Sequence, residues 1–167
     1  AAALNAARSL TRRHEDRRAL VYYRKLLELL PGRAEKPRMS VAEEAASVLI
    51  RTGEHAEAVR LLGNALEGAR TRTERSRLRE KVGLSFHLHG DAKQATEELE
   101  ASLSLLAGAG ARASRDRLRI QCLLADIAIS QGRYARAEEL CGEARLHVKT
   151  RRPSRSASPS RKVQGAS

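Results

Sequence analysis

The chain has 167 residues, and its 32 lysines and arginines against 20 acids give a formal net charge of +12. This length fits one ordinary domain or a short array of repeats. Aromatic residues make up only 2% of the sequence, so a core must be built from leucine, alanine and valine. That composition excludes an all-β sandwich or barrel and favours closely packed helices. No apolar run reaches the ~18 residues of a membrane-spanning helix, and the first residues lack the order of a secretory signal. We therefore expect no membrane association.

One sequence pattern, which we call the glycine phrase, occurs three times along the chain. A glycine is followed five residues later by an alanine, and residues of the same helix face follow four and seven residues after that alanine. The phrase begins at Gly53, Gly90 and Gly132. This spacing predicts a helix after each glycine, and the same period before the glycine predicts another helix. A fourth copy begins the chain, with His14 in the place of the glycine. In chain order, the predicted helices span residues 2–13, 16–30, 40–51, 55–69, 74–89, 92–106, 113–131 and 134–148.

Two connections are marked by helix-breaking residues. Pro31 through Pro37 and Ala107 through Ala111 are rich in proline or in glycine, so both are predicted to be linkers. The string Gly108-Ala109-Gly110 begins like a dinucleotide-binding motif, but Ala113 stands where the third glycine belongs and no strand precedes it. The linker interpretation is therefore favoured over a nucleotide site.

The second complete unit carries Val82-Gly83, Phe86, Gly90, Ala95, Leu99 and Ser102-Leu103. This pattern resembles the tetratricopeptide repeat (TPR) family. The resemblance implies an all-α fold, a right-handed α-α superhelix (solenoid) of about four helix pairs. The helical domain would cover residues 1–148, with repeats at about 1–34, 40–70, 74–110 and 113–148.

The repeat alanines reveal an unusually long period. Ala19, Ala58, Ala95 and Ala137 are 39, 37 and 42 residues apart, whereas the standard repeat has ~34 residues. The extra residues are expected to lengthen helices or loops around residues 69–77 and 107–114.

The last segment, residues 149–167, differs in kind. It holds six basic residues, five serines and two prolines, and it has no acid. Such a segment cannot bury enough apolar surface to fold. We predict a disordered basic tail, which supplies +6 of the net charge of +12.

The two cysteines, Cys122 and Cys141, are too few for a disulfide framework and show no C-x-x-C spacing. This usage suits a reducing compartment, so we expect a cytoplasmic location. Both thiols are expected to pack as small apolar groups, with Cys141 on the apolar stripe of its helix. A thiol pair across the two helices is the alternative.

The sequence offers no catalytic or metal-binding pattern. His87 and His89 are two residues apart on a predicted helix, so their side chains project ~200° from each other and cannot share one ion. We expect a protein without enzymatic activity, with no cofactor and no metal.

The resemblance also implies a binding surface. In TPR proteins, first-helix residues beside the small-residue pair line a concave face on which peptides dock. The lysine and asparagine that hold a chaperone's C-terminal carboxylate in some members do not occur at these places, so that role is not expected. Carried over position by position, the implied peptide-binding face consists of Arg8, Arg12, Glu43, Ser47, Arg51, Glu80, Leu84, His87, Asp126 and Ser130.

The expected function is that of a scaffold for protein–protein interaction, which binds a protein, a peptide or an adjacent domain of the same chain. The chain also resembles repeat regions that follow the ATPase or kinase modules of large bacterial regulators, which implies a fragment with a role in signal transduction. The alternative is a basic adaptor whose tail contacts nucleic acid or acidic partners. Nucleic acid is disfavoured as a partner, because single strands need aromatic stacking platforms and Tyr23, Phe86 and Tyr134 fall at structural positions of the repeat.

Overall fold

The computed structural model describes residues 2–31 and 35–149, which form eight α-helices and one short 3-10 helix. Consecutive α-helices pack in antiparallel pairs, and no strand occurs in these two ranges. The 3-10 helix, Gly110–Ala113, precedes α7. Residues 32–34 of the first predicted linker and residues 150–167 of the predicted tail lie outside the described residues. The α-helices are α1 (Ala2–Arg12), α2 (Asp16–Leu29), α3 (Glu35–Thr52), α4 (His55–Glu67), α5 (Arg72–His89), α6 (Ala92–Leu105), α7 (Ser114–Ser130) and α8 (Tyr134–Lys149).

The predicted helices are all present, and one of their boundaries is clearly wrong. α3 begins at Glu35 and not at residue 40, so Pro37 lies in its first turn rather than in a linker. Proline is tolerated there, because the first N–H groups of a helix have no carbonyl partner within the helix. A proline in the sequence therefore does not by itself mark the boundary between a linker and the helix that follows it.

The extra length of the repeats is divided between helices and one connection. Around residues 69–77 it extends α5, which begins at Arg72, and around residues 107–114 it forms the connection that holds the 3-10 helix. The first helices α3, α5 and α7 have 17 or 18 residues, against 13 or 14 for the second helices α2, α4 and α6. The elongated helices are thus the first helices of the second, third and fourth pairs, whereas α1 has 11 residues.

The four turns inside the helix pairs share one geometry. His14, Gly53, Gly90 and Gly132 all have a positive φ, between 59° and 92°. The residue after each of them donates its N–H to the carbonyl five residues earlier, over 2.8–3.0 Å. This bond ends a helix with a left-handed residue, for which glycine is favoured because it has no Cβ. The expectation that His14 takes the place of glycine is confirmed.

The repeat alanines lie at the crossings of the paired helices. Ala19, Ala58 and Ala95 are fully buried, and Ala137 is nearly so. The core has two clusters, one around α1 to α5 and the other around α6 to α8, and the half-buried Phe86 packs against both. Small side chains at the crossings let the helices approach closely, so apolar burial can proceed with few aromatic residues.

Three side chains expected to pack as structural groups are exposed. Tyr134 is 66% exposed, and both Cys122 and Cys141 are exposed. The residues at the position of Cys141 in the preceding repeats, Leu62 and Leu99, are fully buried. In those repeats the second helix is covered by the first helix of the next pair, α5 on α4 and α7 on α6, whereas the described residues contain no helix after α8. The buried residues of α8 include Ala137, Leu140 and Ala144, so Leu140 rather than Cys141 supplies the large apolar side chain of this helix.

Candidate functional site

The first helices of adjacent repeats lie side by side. α3 contacts α5 and α5 contacts α7, in addition to the contacts that each makes within its own pair. We call the surface formed by α1, α3, α5 and α7 the inner surface. The ten residues predicted for the peptide-binding face all belong to these four helices.

Arg8 is held in an ion pair that crosses from α1 to α3. Its guanidinium donates from Nε and Nη2 to the two carboxylate oxygens of Glu44, at 2.8 and 2.6 Å. The Tyr23 hydroxyl donates to Oε2 of the same carboxylate at 3.3 Å. The hydrogen bonds and charge of Arg8 lower the pKa of Glu44 below its usual value. Neither Glu44 nor Tyr23 was predicted at this surface.

A second set of contacts joins α3 to α5. The carboxylate of Glu43 lies 2.8 Å from Nε of Arg77 and 4.0 Å from Nζ of Lys81. The Lys81 ammonium also donates to Oγ of Ser47 at 2.7 Å. The predicted residues Glu43 and Ser47 therefore bind partners on the neighbouring helix.

The ion pair of Glu43 recurs one repeat later. Arg119 on α7 donates from Nη2 to Oε2 of the buried Glu80 on α5 at 2.6 Å. Glu80 follows Glu43 by 37 residues and Arg119 follows Arg77 by 42, which are the spacings of the repeat alanines. The same two repeat positions thus connect successive first helices.

Three further predicted residues, Arg51, His87 and Asp126, form ion pairs or hydrogen bonds between helices. Arg51 donates to both carboxylate oxygens of Asp16 at the start of α2, over 2.8 and 2.5 Å, and these hydrogen bonds lower the pKa of Asp16. Nε2 of His87 on α5 lies 2.8 Å from Oδ2 of Asp126 on α7. Most of the predicted face therefore joins helices of this chain to one another.

The remaining three predicted residues have different surroundings. Ser130 donates to the carbonyl of Ile127 in its own helix at 2.7 Å. Leu84 is half-buried and packs against the first core cluster. Arg12 is exposed, and among the described residues no carboxylate forms an ion pair with it.

A cleft of about 290 Å³ opens on the inner surface between α1 and α3. It brings together three of the predicted residues, Arg8, Arg12 and Ser47. Thr11 and Tyr23 add hydroxyl groups, whose oxygens lie 3.4 Å apart. The cleft is lined by Arg8, Thr11, Arg12, Tyr23, Glu44 and Ser47.

An arginine that recurs in the first turn of α3, α5 and α7 was not predicted from the sequence. Nη1 of Arg38 donates to the carbonyls of Leu27 and Leu30 at the end of α2, at 2.8 Å each. Arg75 donates to the carbonyl of Ala69 after α4 at 3.1 Å, and Arg117 donates to the carbonyl of Leu106 after α6. A cation at the end of a helix supplies the last carbonyls with donors. The spacings of 37 and 42 residues between these arginines repeat those of the alanines and were the signal available in the sequence.

The described residues hold no group of three or more histidine, cysteine, aspartate or glutamate side chains that could bind a metal ion. Of the helices in residues 2–31 and 35–149, none has the length and apolar content needed to cross a membrane.

Solved structures share this arrangement of helices. TPR-like repeats of a putative kinesin light chain from Podosopora anserina match with a TM-score of 0.75 and 22% identity, over 90% of this chain and 76% of that chain. MamA from Desulfovibrio magneticus RS-1 matches with a TM-score of 0.72 and 13% identity, over 89% of this chain and 75% of that chain.

The chain has the tetratricopeptide-repeat fold. A second structure of the kinesin light chain repeats, with 19% identity, covers 91% of this chain and 96% of that chain at a TM-score of 0.57. No family model and no curated protein matches the sequence. The TPR arrangement confirms the expected all-α solenoid.

Proposed function

We propose that this TPR chain is a non-enzymatic scaffold that holds a peptide or an adjacent domain on its inner surface. The observation that carries the proposal is the cleft between α1 and α3, in which Arg8, Arg12 and Ser47 meet. We also propose that the chain is part of a larger bacterial regulator and lies in the cytoplasm. Its repeats are proposed to span about 1–34, 40–70, 74–110 and 113–148. The TPR fold supports the scaffold proposal, because repeat arrays offer extended surfaces to other proteins.

The charges of the cleft favour acidic or carbonyl groups on the partner. The positive charge of Arg8 is compensated by Glu44 at 2.6 Å, so the exposed Arg12 supplies the free charge. The Thr11 hydroxyl lines the same cleft; because its proton is donated to the carbonyl of Ala7 at 3.0 Å, its oxygen can accept a hydrogen bond from a peptide N–H. The partner is thus expected to present an acidic side chain or main-chain carbonyls to α1.

The test uses Arg12 rather than Arg8, Arg51 or Glu80, because reversing a charge in an ion pair between helices would disturb the stacking of the repeats. Peptides are selected from a random phage library on the intact chain, and their affinities are measured by fluorescence anisotropy. Arg12→Glu is expected to weaken binding about tenfold or more, which corresponds to ~1.4 kcal/mol. The matched control is Arg60→Glu, which makes the same charge change at an exposed residue of α4.

Binding within about twofold of the parent for Arg60→Glu, together with the loss for Arg12→Glu, would support the cleft. Equal losses in both variants would contradict it. The tail-driven adaptor makes the opposite prediction: removal of residues 149–167 would abolish a salt-sensitive interaction and Arg12→Glu would leave it intact.

A further inference from the structure

We propose that His55 and His89 form a binding site for a divalent transition metal ion between the second and third repeats. His55 is the first residue of α4 and His89 is the last residue of α5. The stacking of the two repeats brings their rings together, with centres 5.7 Å apart. The proposal is independent of peptide binding in the cleft between α1 and α3.

The separation of the rings suits two ligands of one ion. Imidazole nitrogens bind zinc at about 2.0–2.1 Å, which places the centres of two coordinating rings roughly 5–6 Å apart. The planes of the rings are tilted by 49°, so the two histidines are not stacked face to face. One ion can therefore bridge them after small rotations of the side chains.

The surroundings of His55 leave one ring nitrogen available. The Ser85 hydroxyl donates its proton to the backbone carbonyl of His55 at 3.3 Å, and its oxygen lies 3.5 Å from Nδ1 of the His55 ring. The roles of donor and acceptor in this contact depend on the ring tautomer, and the tautomer with its proton on Nδ1 donates to the Ser85 oxygen. A proton on Nδ1 leaves the lone pair of Nε2 free, which is the arrangement found around histidines that bind metals.

The site is open and supplies two protein ligands. His89 is exposed and His55 is half-buried, so an ion can enter with bound water. In the described part of the chain no third metal-binding side chain joins the pair, and water is expected to complete the coordination. Two neutral imidazoles favour Ni²⁺, Cu²⁺ or Zn²⁺ over Mg²⁺ or Ca²⁺.

The experiment is a calorimetric titration of the untagged full chain with NiCl2, in a Cys122→Ser, Cys141→Ser background that removes the two exposed thiols. His55→Ala and His89→Ala are each expected to raise the Kd about tenfold or more. Loss of either ligand breaks the same bridge, so the double variant should bind no more weakly than each single variant. His87→Gln is the matched control, since it removes a neighbouring histidine of α5 and should leave the Kd within about twofold of the parent.

Thermal unfolding gives a second measurement. NiCl2 should raise the Tm of the parent and of His87→Gln, because an ion that binds only the folded state stabilises it. It should not raise the Tm of either alanine variant, and MgCl2 should have no effect on any of them. Parent-like Ni²⁺ binding by His89→Ala, or an equal loss in His87→Gln, would overturn the proposal in favour of diffuse binding to surface histidines.

Discussion

Gly83 on α5 lies directly against Leu99 on α6. A Cβ at residue 83 would be 2.7 Å from Cγ of Leu99 and 3.2 Å from the carbonyl oxygen of Ala95. Leu99 is fully buried, and the atom nearest to the glycine is the branch point of its side chain rather than a flexible end. The absence of a side chain at residue 83 therefore sets how closely α5 and α6 approach.

Gly83→Ala should lower the free energy of unfolding by about 1–2 kcal/mol, because the cost of overpacking exceeds the gain in helix propensity. Urea denaturation followed by far-UV circular dichroism measures the change. The control is Gly63→Ala in α4, where a Cβ would meet nothing within 4 Å; it should raise stability by about 0.5–1 kcal/mol. Equal responses of the two variants would show that the contact with Leu99 does not limit the packing.

His14→Gly should stabilise the chain by up to about 1 kcal/mol, since a left-handed backbone is costly for a residue with a Cβ. The φ of His14 is 59°, and glycine occupies the same position in the other three repeats. His14→Ala keeps the Cβ, so it should not raise the Tm. A Tm for His14→Gly that is no higher than that of His14→Ala would argue against strain at this turn.

Arg38→Met should lower the free energy of unfolding by about 1–3 kcal/mol, because it leaves the carbonyls of Leu27 and Leu30 without their charged donor. Arg60→Met, at an exposed position of α4, should change it by no more than about 0.5 kcal/mol. Chemical denaturation of both variants tests the difference. If Arg38→Met proved as silent as its control, the arginine at the end of α2 would have no stabilising role.

Stability should fall in acid because two ion pairs between helices, Arg8 with Glu44 and Arg51 with Asp16, lose their negative charge. The pKa values of Glu44 and Asp16 are lowered in the folded chain by hydrogen bonds from Arg8 and Arg51, from ordinary values of 4.5 and 3.8. At acidic pH the unfolded chain therefore binds more protons, so the contribution is present above these values and is lost as the pH falls below them.

The measurement is the free energy of unfolding at a series of pH values from neutral to below 4.5, the ordinary value for glutamate. An Arg8→Met, Arg51→Met variant should lose less stability on acidification than the parent. The variant should still lose some stability as the pH falls, because the pKa values of Glu57 and Glu74 are also lowered in the folded chain. Parallel curves for parent and variant would exclude the two ion pairs as its source.

The fold could be predicted from the sequence because its signals are local. The glycine phrase, the left-handed residue at His14 and the buried alanines all lie within single helix pairs, so a period read along the chain was enough to place them. The resemblance to TPR proteins added the prediction of which first-helix residues lie on one surface. Three of these residues, Arg8, Arg12 and Ser47, line the same cleft. The early start of α3 was missed because Pro37 looks like a helix breaker and is tolerated in a first turn.

The sequence by itself determined the helix pairs, their turns and the residues at their crossings. The tertiary structure alone decided that Arg8, Glu43 and Glu80 pair with neighbouring helices, that Cys141 is exposed and that His55 meets His89. The physical reason is that these outcomes depend on the rotation and shift of one repeat against the next. Apolar periodicity specifies which side of a helix is buried, but the partner of each charged side chain depends on how the backbones stack.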